Sequence, residues 1–129
     1  MTIDDIKFDE KGLVPAICQD AETGDILMLA WMNRDSLEKT IQTGVMTYWS
    51  RSRKKLWVKG ETSGNTQTVR DIRVDCDGDC LLFKVTPNGT GAACHEGYRS
   101  CFFRVLNQSG TEFTVTGEKV FNPEDVYGK

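Results

Sequence analysis

A chain of 129 residues, 39% hydrophobic and 27% charged, has the makeup of one globular domain spanning residues 1–129, large enough to bury a core without disulfides. Sixteen Lys and Arg against nineteen Asp and Glu leave a net charge of -3, which argues against nonspecific nucleic-acid binding. No apolar run approaches the roughly 20 residues of a membrane helix, and residues 1–9 lack the basic start of a signal peptide, so a cytoplasmic location is expected.

Residues 13–18 read as a short strand and 25–31 as a more apolar one. Glu22, Thr23, Gly24 and Asp25 supply turn chemistry between them, so a hairpin is expected. Asn33 is placed to cap a helix over residues 34–43, with Leu37 and Ile41 on its inner face and Gly44 ending it. Strand patterns follow at 46–50, 56–59, 66–75, 81–86 and 101–106. Val69 is out of phase with Ile72 and Val74, which predicts a bulge in the long strand. A glycine-rich loop, residues 87–91, interrupts the series. The fold class is α+β, mostly β-strands with one definite helix.

Asp75-Cys76-Asp77-Gly78-Asp79-Cys80 is the densest chemical signal. In an extended segment, three carboxylates at alternate positions project to one side. Crowded anions repel unless a hard cation neutralises them, and Mg²⁺ takes such oxygen ligands. A solvated turn is the plainer alternative. An EF-hand is excluded, because its sixth position should be Gly and is Cys80, and its twelfth should be Glu and is Thr86.

Five cysteines, an odd number, suit free thiols or metal ligands in a reducing compartment better than a disulfide framework. Cys94 and Cys101 lie seven positions apart across a glycine-containing loop and can converge on one metal. Cys76 would bring the count to three thiols, the number of protein ligands at a catalytic zinc that keeps a place for water. His95, the only histidine, reads either as a general base beside that water or as a fourth ligand or surface residue. Cys18 reads as a small buried hydrophobe and Cys80 as a packing residue. In the middle of the chain, Arg51, Arg53, Lys59 and Ser63 fall in basic, Gly- and Ser-rich stretches, which suit phosphate oxygens or else a solvated hairpin.

Five blocks together resemble the phosphoribosyl-AMP cyclohydrolase family, in the same order. They are Met28-Leu29-Ala30-Trp31-Met32-Asn33-Arg34, Tyr48-Trp49-Ser50-Arg51-Ser52-Arg53, Leu56-Trp57-Val58-Lys59-Gly60-Glu61-Thr62-Ser63-Gly64, Asp75-Cys76-Asp77-Gly78-Asp79 and Cys94-His95-Glu96-Gly97-Tyr98-Arg99-Ser100-Cys101-Phe102. The resemblance covers residues 13–106. It implies Cys76, Cys94 and Cys101 as zinc ligands and Asp75, Asp77 and Asp79 as magnesium ligands. It also implies an intertwined homodimer whose sites take Cys76 from one chain and Cys94 and Cys101 from the other, in the monofunctional form of the enzyme.

The implied reaction belongs to histidine biosynthesis. The substrate, 1-(5-phosphoribosyl)-AMP, carries a phosphoribosyl group on N1 that leaves the adenine ring electrophilic at C6. Zinc-activated water attacks there and the N1–C6 bond opens without loss of ammonia. His95 is the expected proton carrier, and Arg51, Arg53, Lys59 and Ser63 are the candidate substrate contacts. The main rival is a noncatalytic zinc module that binds nucleotides or RNA. The acidic balance and the acidic triplet argue against it. A thiol redox protein would need a C-x-x-C pair, which the chain lacks.

Overall fold

The computed structural model describes residues 1–128. Its centre is a four-stranded sheet built from β1 (Val14–Asp20), β2 (Ile26–Met32), β5 (Gln67–Val74) and β6 (Leu81–Pro87), in the order β2-β1-β6-β5. β1 pairs antiparallel with β2 and parallel with β6, so the two central strands are joined through everything between them in sequence. Strict alternation in β1 turns Val14, Ala16 and Cys18 to one buried face, where Leu81, Phe83 and Val85 of β6 meet them. Leu27, Met28, Met32, Leu37, Met46, Tyr48 and Ala93 complete the core.

The β1–β2 hairpin is present as expected, with Gly24 in the left-handed region at φ 82°. The expected bulge is also present, as a register shift between Val69 and Asp71. Helix α1 (Arg34–Thr43) begins at Asn33, whose side chain accepts from the Ser36 N–H at 2.8 Å. It ends on Gly44 at φ 75°.

Ile41 departs from expectation: it is 46% exposed, whereas Leu37 is buried. The inward arc of α1 is centred on Ser36, Leu37 and Thr40, and Ile41 stands roughly 90° from its middle at about 100° per residue. Thr40 holds that arc by hydrogen bonds between its hydroxyl and both the carbonyl and the N–H of Thr47, each 3.0 Å.

After α1 come a separate hairpin, β3 (Thr47–Ser50) with β4 (Lys55–Val58), and late in the chain a second, β7 (Arg104–Leu106) with β8 (Phe113–Val115). The strand expected over 101–106 is regular only from Arg104. The Cys101 N–H is drawn to the Leu27 carbonyl at 2.7 Å and the Phe102 N–H to the Ser100 hydroxyl, which keeps both out of a ladder. A 3₁₀ turn at Ile3–Asp5, strand β8 and a short helix α2 (Pro123–Tyr127) have no counterpart in the sequence reading. The chain is thus α+β, mostly strands with one main helix. No described helix is long and apolar enough to cross a membrane.

Candidate metal and substrate site

Residues 93–101 form a narrow tongue. The Ala93 N–H donates to the Arg99 carbonyl at 2.9 Å and the Cys94 N–H to the Tyr98 carbonyl at 3.1 Å, which puts His95, Glu96 and Gly97 at the tip. Gly97 has φ 100°, and a Cβ there would lie 2.3 Å from the Phe121 carbonyl oxygen, so the C-terminal segment passes directly over the tip.

The other end of the tongue is pinned to β2 and to the β1–β2 turn. The Ser100 hydroxyl donates to the Ile26 carbonyl at 2.8 Å, and Arg99 donates to Asp20 at 2.5 Å and to Asp25 at 3.0 Å. Burial alone would raise the Asp20 carboxyl. The N–H groups of Glu22 and Thr23 and the Arg99 guanidinium outweigh it and hold the group below the ordinary carboxylate value.

This folding brings the thiols of Cys94 and Cys101 close enough for each to influence the other's ionisation. Cys94 is buried and Cys101 faces a pocket. Burial, and then the neighbouring Cys94, push the Cys101 thiol up to about 11, against the pull of Lys59. A metal would remove that mutual repulsion, and two adjoining sulfurs fit zinc, which favours thiolates. Within the chain, among the described residues, neither Cys76 nor His95 completes a three-ligand group with this pair.

The pocket beside Cys101 has a volume of about 360 Å³. Its wall brings together Arg53, Lys59, Ser63, His95 and Cys101, five residues that the sequence places in three separate stretches. The Ser63 side of the pocket is a tight loop closed by the Gly64 N–H donating to the Gly60 carbonyl at 2.8 Å. Gly60 is obligatory there: its φ is 85°, and a Cβ would fall 2.3 Å from the backbone of Asn65. Asn65 in turn accepts from the N–H and hydroxyl of Thr90, tying this loop to residues 87–91.

Arg51 does not share the pocket. Its guanidinium lies 4.8 Å from the centroid of the Trp31 ring, in a neighbouring cleft with Trp49 and Trp57. Met28, Trp57, Thr62 and Tyr127 also line the pocket beside Cys101, and none of them is among the candidate site residues that the sequence offers. The first three lie within or beside the family-like blocks. Tyr127 carries no local signal, since it reaches the wall only through the path of the C-terminal segment over Gly97.

Asp75, Asp77 and Asp79 do converge, with one carboxylate oxygen from each within 4.8 Å of the others. The cause is a turn and not the extended segment expected. The Gly78 N–H donates to the Asp75 carbonyl at 3.2 Å, and Asp75 Oδ1 accepts from the N–H groups of Asp79 and Cys80. Hydrogen bonding to Asp75 and Asp77, together with their charge, raises the Asp79 carboxyl. A hard cation would reverse that shift, so the donor set fits Mg²⁺. Cys76 is exposed on the same turn. Cys80, partly buried just before β6, has its thiol raised by burial and then by the three carboxylates.

The family model described as phosphoribosyl-AMP cyclohydrolase matches residues 28–103, which hold every candidate site residue. Curated relatives named phosphoribosyl-AMP cyclohydrolase align over almost the full length. The one from Desulfatibacillum aliphaticivorans is 62% identical over 118 residues, 92% of each chain. That from Pelotomaculum thermopropionicum is 59% identical over 98% of this chain and 96% of its own. A third, from Chlorobium phaeovibrioides, is 57% identical over 98% of this chain and 90% of its own. With a pocket that brings residues of four of the five family-like blocks beside Cys101, the chain belongs to the phosphoribosyl-AMP cyclohydrolase family.

Proposed function

We propose that this chain opens the N1–C6 bond of the adenine ring of 1-(5-phosphoribosyl)-AMP, as a step of histidine biosynthesis, with zinc and magnesium as cofactors. The observation that carries the reading is the single pocket shared by Cys101, His95, Lys59, Arg53 and Ser63. Cys94 and Cys101 would hold zinc together with Cys76 of a second copy, and Asp75, Asp77 and Asp79 would hold magnesium. When bound, zinc lowers the pKa of water and so supplies a nucleophile near neutral pH.

The chain's own residues then have distinct tasks. His95, exposed at the pocket wall, takes a proton from the attacking water and returns one to the departing ring nitrogen. Water adds at C6, a carboxamide forms there, and N1 keeps its phosphoribosyl group. Arg53 and Ser63, both on the pocket wall, suit the phosphate oxygens. Arg51 stands in the adjoining aromatic cleft, and its share in substrate binding would be to a more distant part of the ligand. The five free thiols suit a reducing cytoplasm.

A second copy is supported by the surface that one protomer leaves uncovered. Every residue of β7 and β8 is exposed, and Phe102, Val105, Leu106, Phe113 and Val115 are each at least 46% exposed. A two-stranded hairpin of this size is marginal alone, and apolar surface on this scale marks an interaction site. An intertwined homodimer would cover the hairpin and bring the partner's copy of the acidic turn to the thiol pair.

The test is turnover of phosphoribosyl-AMP followed by ultraviolet absorbance. The reading predicts activity in the zinc-loaded protein, loss after chelation, and recovery when zinc is restored. Undiminished activity in protein shown to be zinc-free by elemental analysis would overturn the zinc chemistry.

A further inference from the structure

Lys59 is the one basic side chain buried among the described residues, at 6% exposure. An ammonium taken out of water is costly unless something offsets it. None of the ion pairs among the described residues includes it. Its Nζ donates instead to the carbonyl of Ala93, the residue before Cys94, and its side chain shares the pocket wall with Cys101. The Trp57 ring lies 6.0 Å away. Burial lowers the Lys59 pKa, and the neighbours that favour its charged form are the sulfurs of Cys101, Cys94 and Cys18. The backbone completes the anchorage, since the Lys59 N–H donates to the Met46 carbonyl at 3.0 Å.

We propose that Lys59 is a positioning residue of the zinc centre: its ammonium fixes the Ala93 carbonyl, and Cys94 with it, and offsets the negative charge of the thiolates. This rests on the zinc reading above. Three thiolates around one Zn²⁺ sum to a single negative charge, and one buried ammonium brings the centre to neutrality. Holding Ala93 also restrains the root of the tongue that carries Cys94, so the sulfur's position does not depend on the metal. This task differs from the phosphate contact that the sequence suggests for Lys59, and it leaves that contact to Arg53 and Ser63.

The test measures zinc affinity by competition with a chromophoric chelator, with unfolding of the zinc-free proteins followed by circular dichroism. Lys59→Met, which keeps the length of the side chain and removes charge and donor, should bind zinc about 10- to 100-fold more weakly. Lys59→Gln, which keeps a donor without the charge, should also bind more weakly. Wild-type affinity in Lys59→Met would overturn the proposal, and wild-type affinity in Lys59→Gln would overturn its charge component.

Should both variants fail to fold, the wild-type protein still decides it. With ¹⁵N-labelled lysine, one side-chain ammonium should be protected from solvent exchange and should shift as zinc is added. An ammonium indifferent to zinc would contradict the proposal. A wild-type protein that takes up no zinc at all overturns the zinc reading, and this inference with it. Wild-type uptake with an unaffected Lys59→Met overturns the inference alone.

Discussion

His95 does not complete a three-ligand group with Cys94 and Cys101 within the chain, yet it lines the same pocket as Cys101. If His95 moves substrate protons as proposed, His95→Ala should retain zinc by elemental analysis while turnover falls by roughly 10²-fold or more. Loss of zinc from that variant would make His95 a ligand. The acidic triplet was legible as a cluster because its spacing is local. Its mode of convergence was not, because a turn and an extended segment both bring alternate carboxylates together. If the triplet holds magnesium, Asp77→Asn should need a higher Mg²⁺ concentration for half-maximal activity, with zinc content unchanged. An identical magnesium titration would return the triplet to a solvated turn.

Among the elements, those written in local chemistry were readable in advance. Asn33 and Gly44 bracket α1 as expected, and the phase break at Val69 marks a real register shift in β5. What failed depends on distant partners. Ile41 looks apolar enough for an inner face, but Thr40 takes the inward position because its hydroxyl serves Thr47. The stretch before Arg104 looks like strand, but Leu27 captures the Cys101 N–H.

The same kind of long-range tie fixes the tongue, where Arg99 reaches Asp20 across 79 positions of sequence. Asp20→Ala removes the acceptor for Arg99 and for two backbone N–H groups, and should cost about 1–3 kcal/mol in denaturant unfolding. Because the folded state holds this carboxyl below its ordinary value of 3.8, its contribution is complete above that pH and is lost as pH falls through the depressed value. The stability gap between wild type and Asp20→Ala should therefore be constant near neutrality and narrow in acid below pH 3.8. A gap that stays constant into acid would remove Asp20 as the cause.

For the whole molecule, the chain supplies a thiol pair and a pocket, but it leaves Cys76 on a separate exposed turn and the β7–β8 hairpin uncovered. Residue spacing suggests the three cysteines only as a set; their division, Cys94 with Cys101 and Cys76 apart, is legible only through the family resemblance. That division follows from a fold in which residues 75–80 connect β5 to β6 while the tongue lies against β2. The central claim is that two copies complete each other's site, and mixed dimers of Cys76→Ala and Cys94→Ala test it most directly. Each variant alone lacks a ligand in both sites and should be nearly inactive. A mixed dimer carries both lesions in one site and none in the other, so random pairing should return about a quarter of wild-type activity. With the two chains tagged differently and the mixed dimer isolated, about half of wild-type activity per dimer is predicted. A purified mixed dimer as inactive as its parents would contradict the shared site.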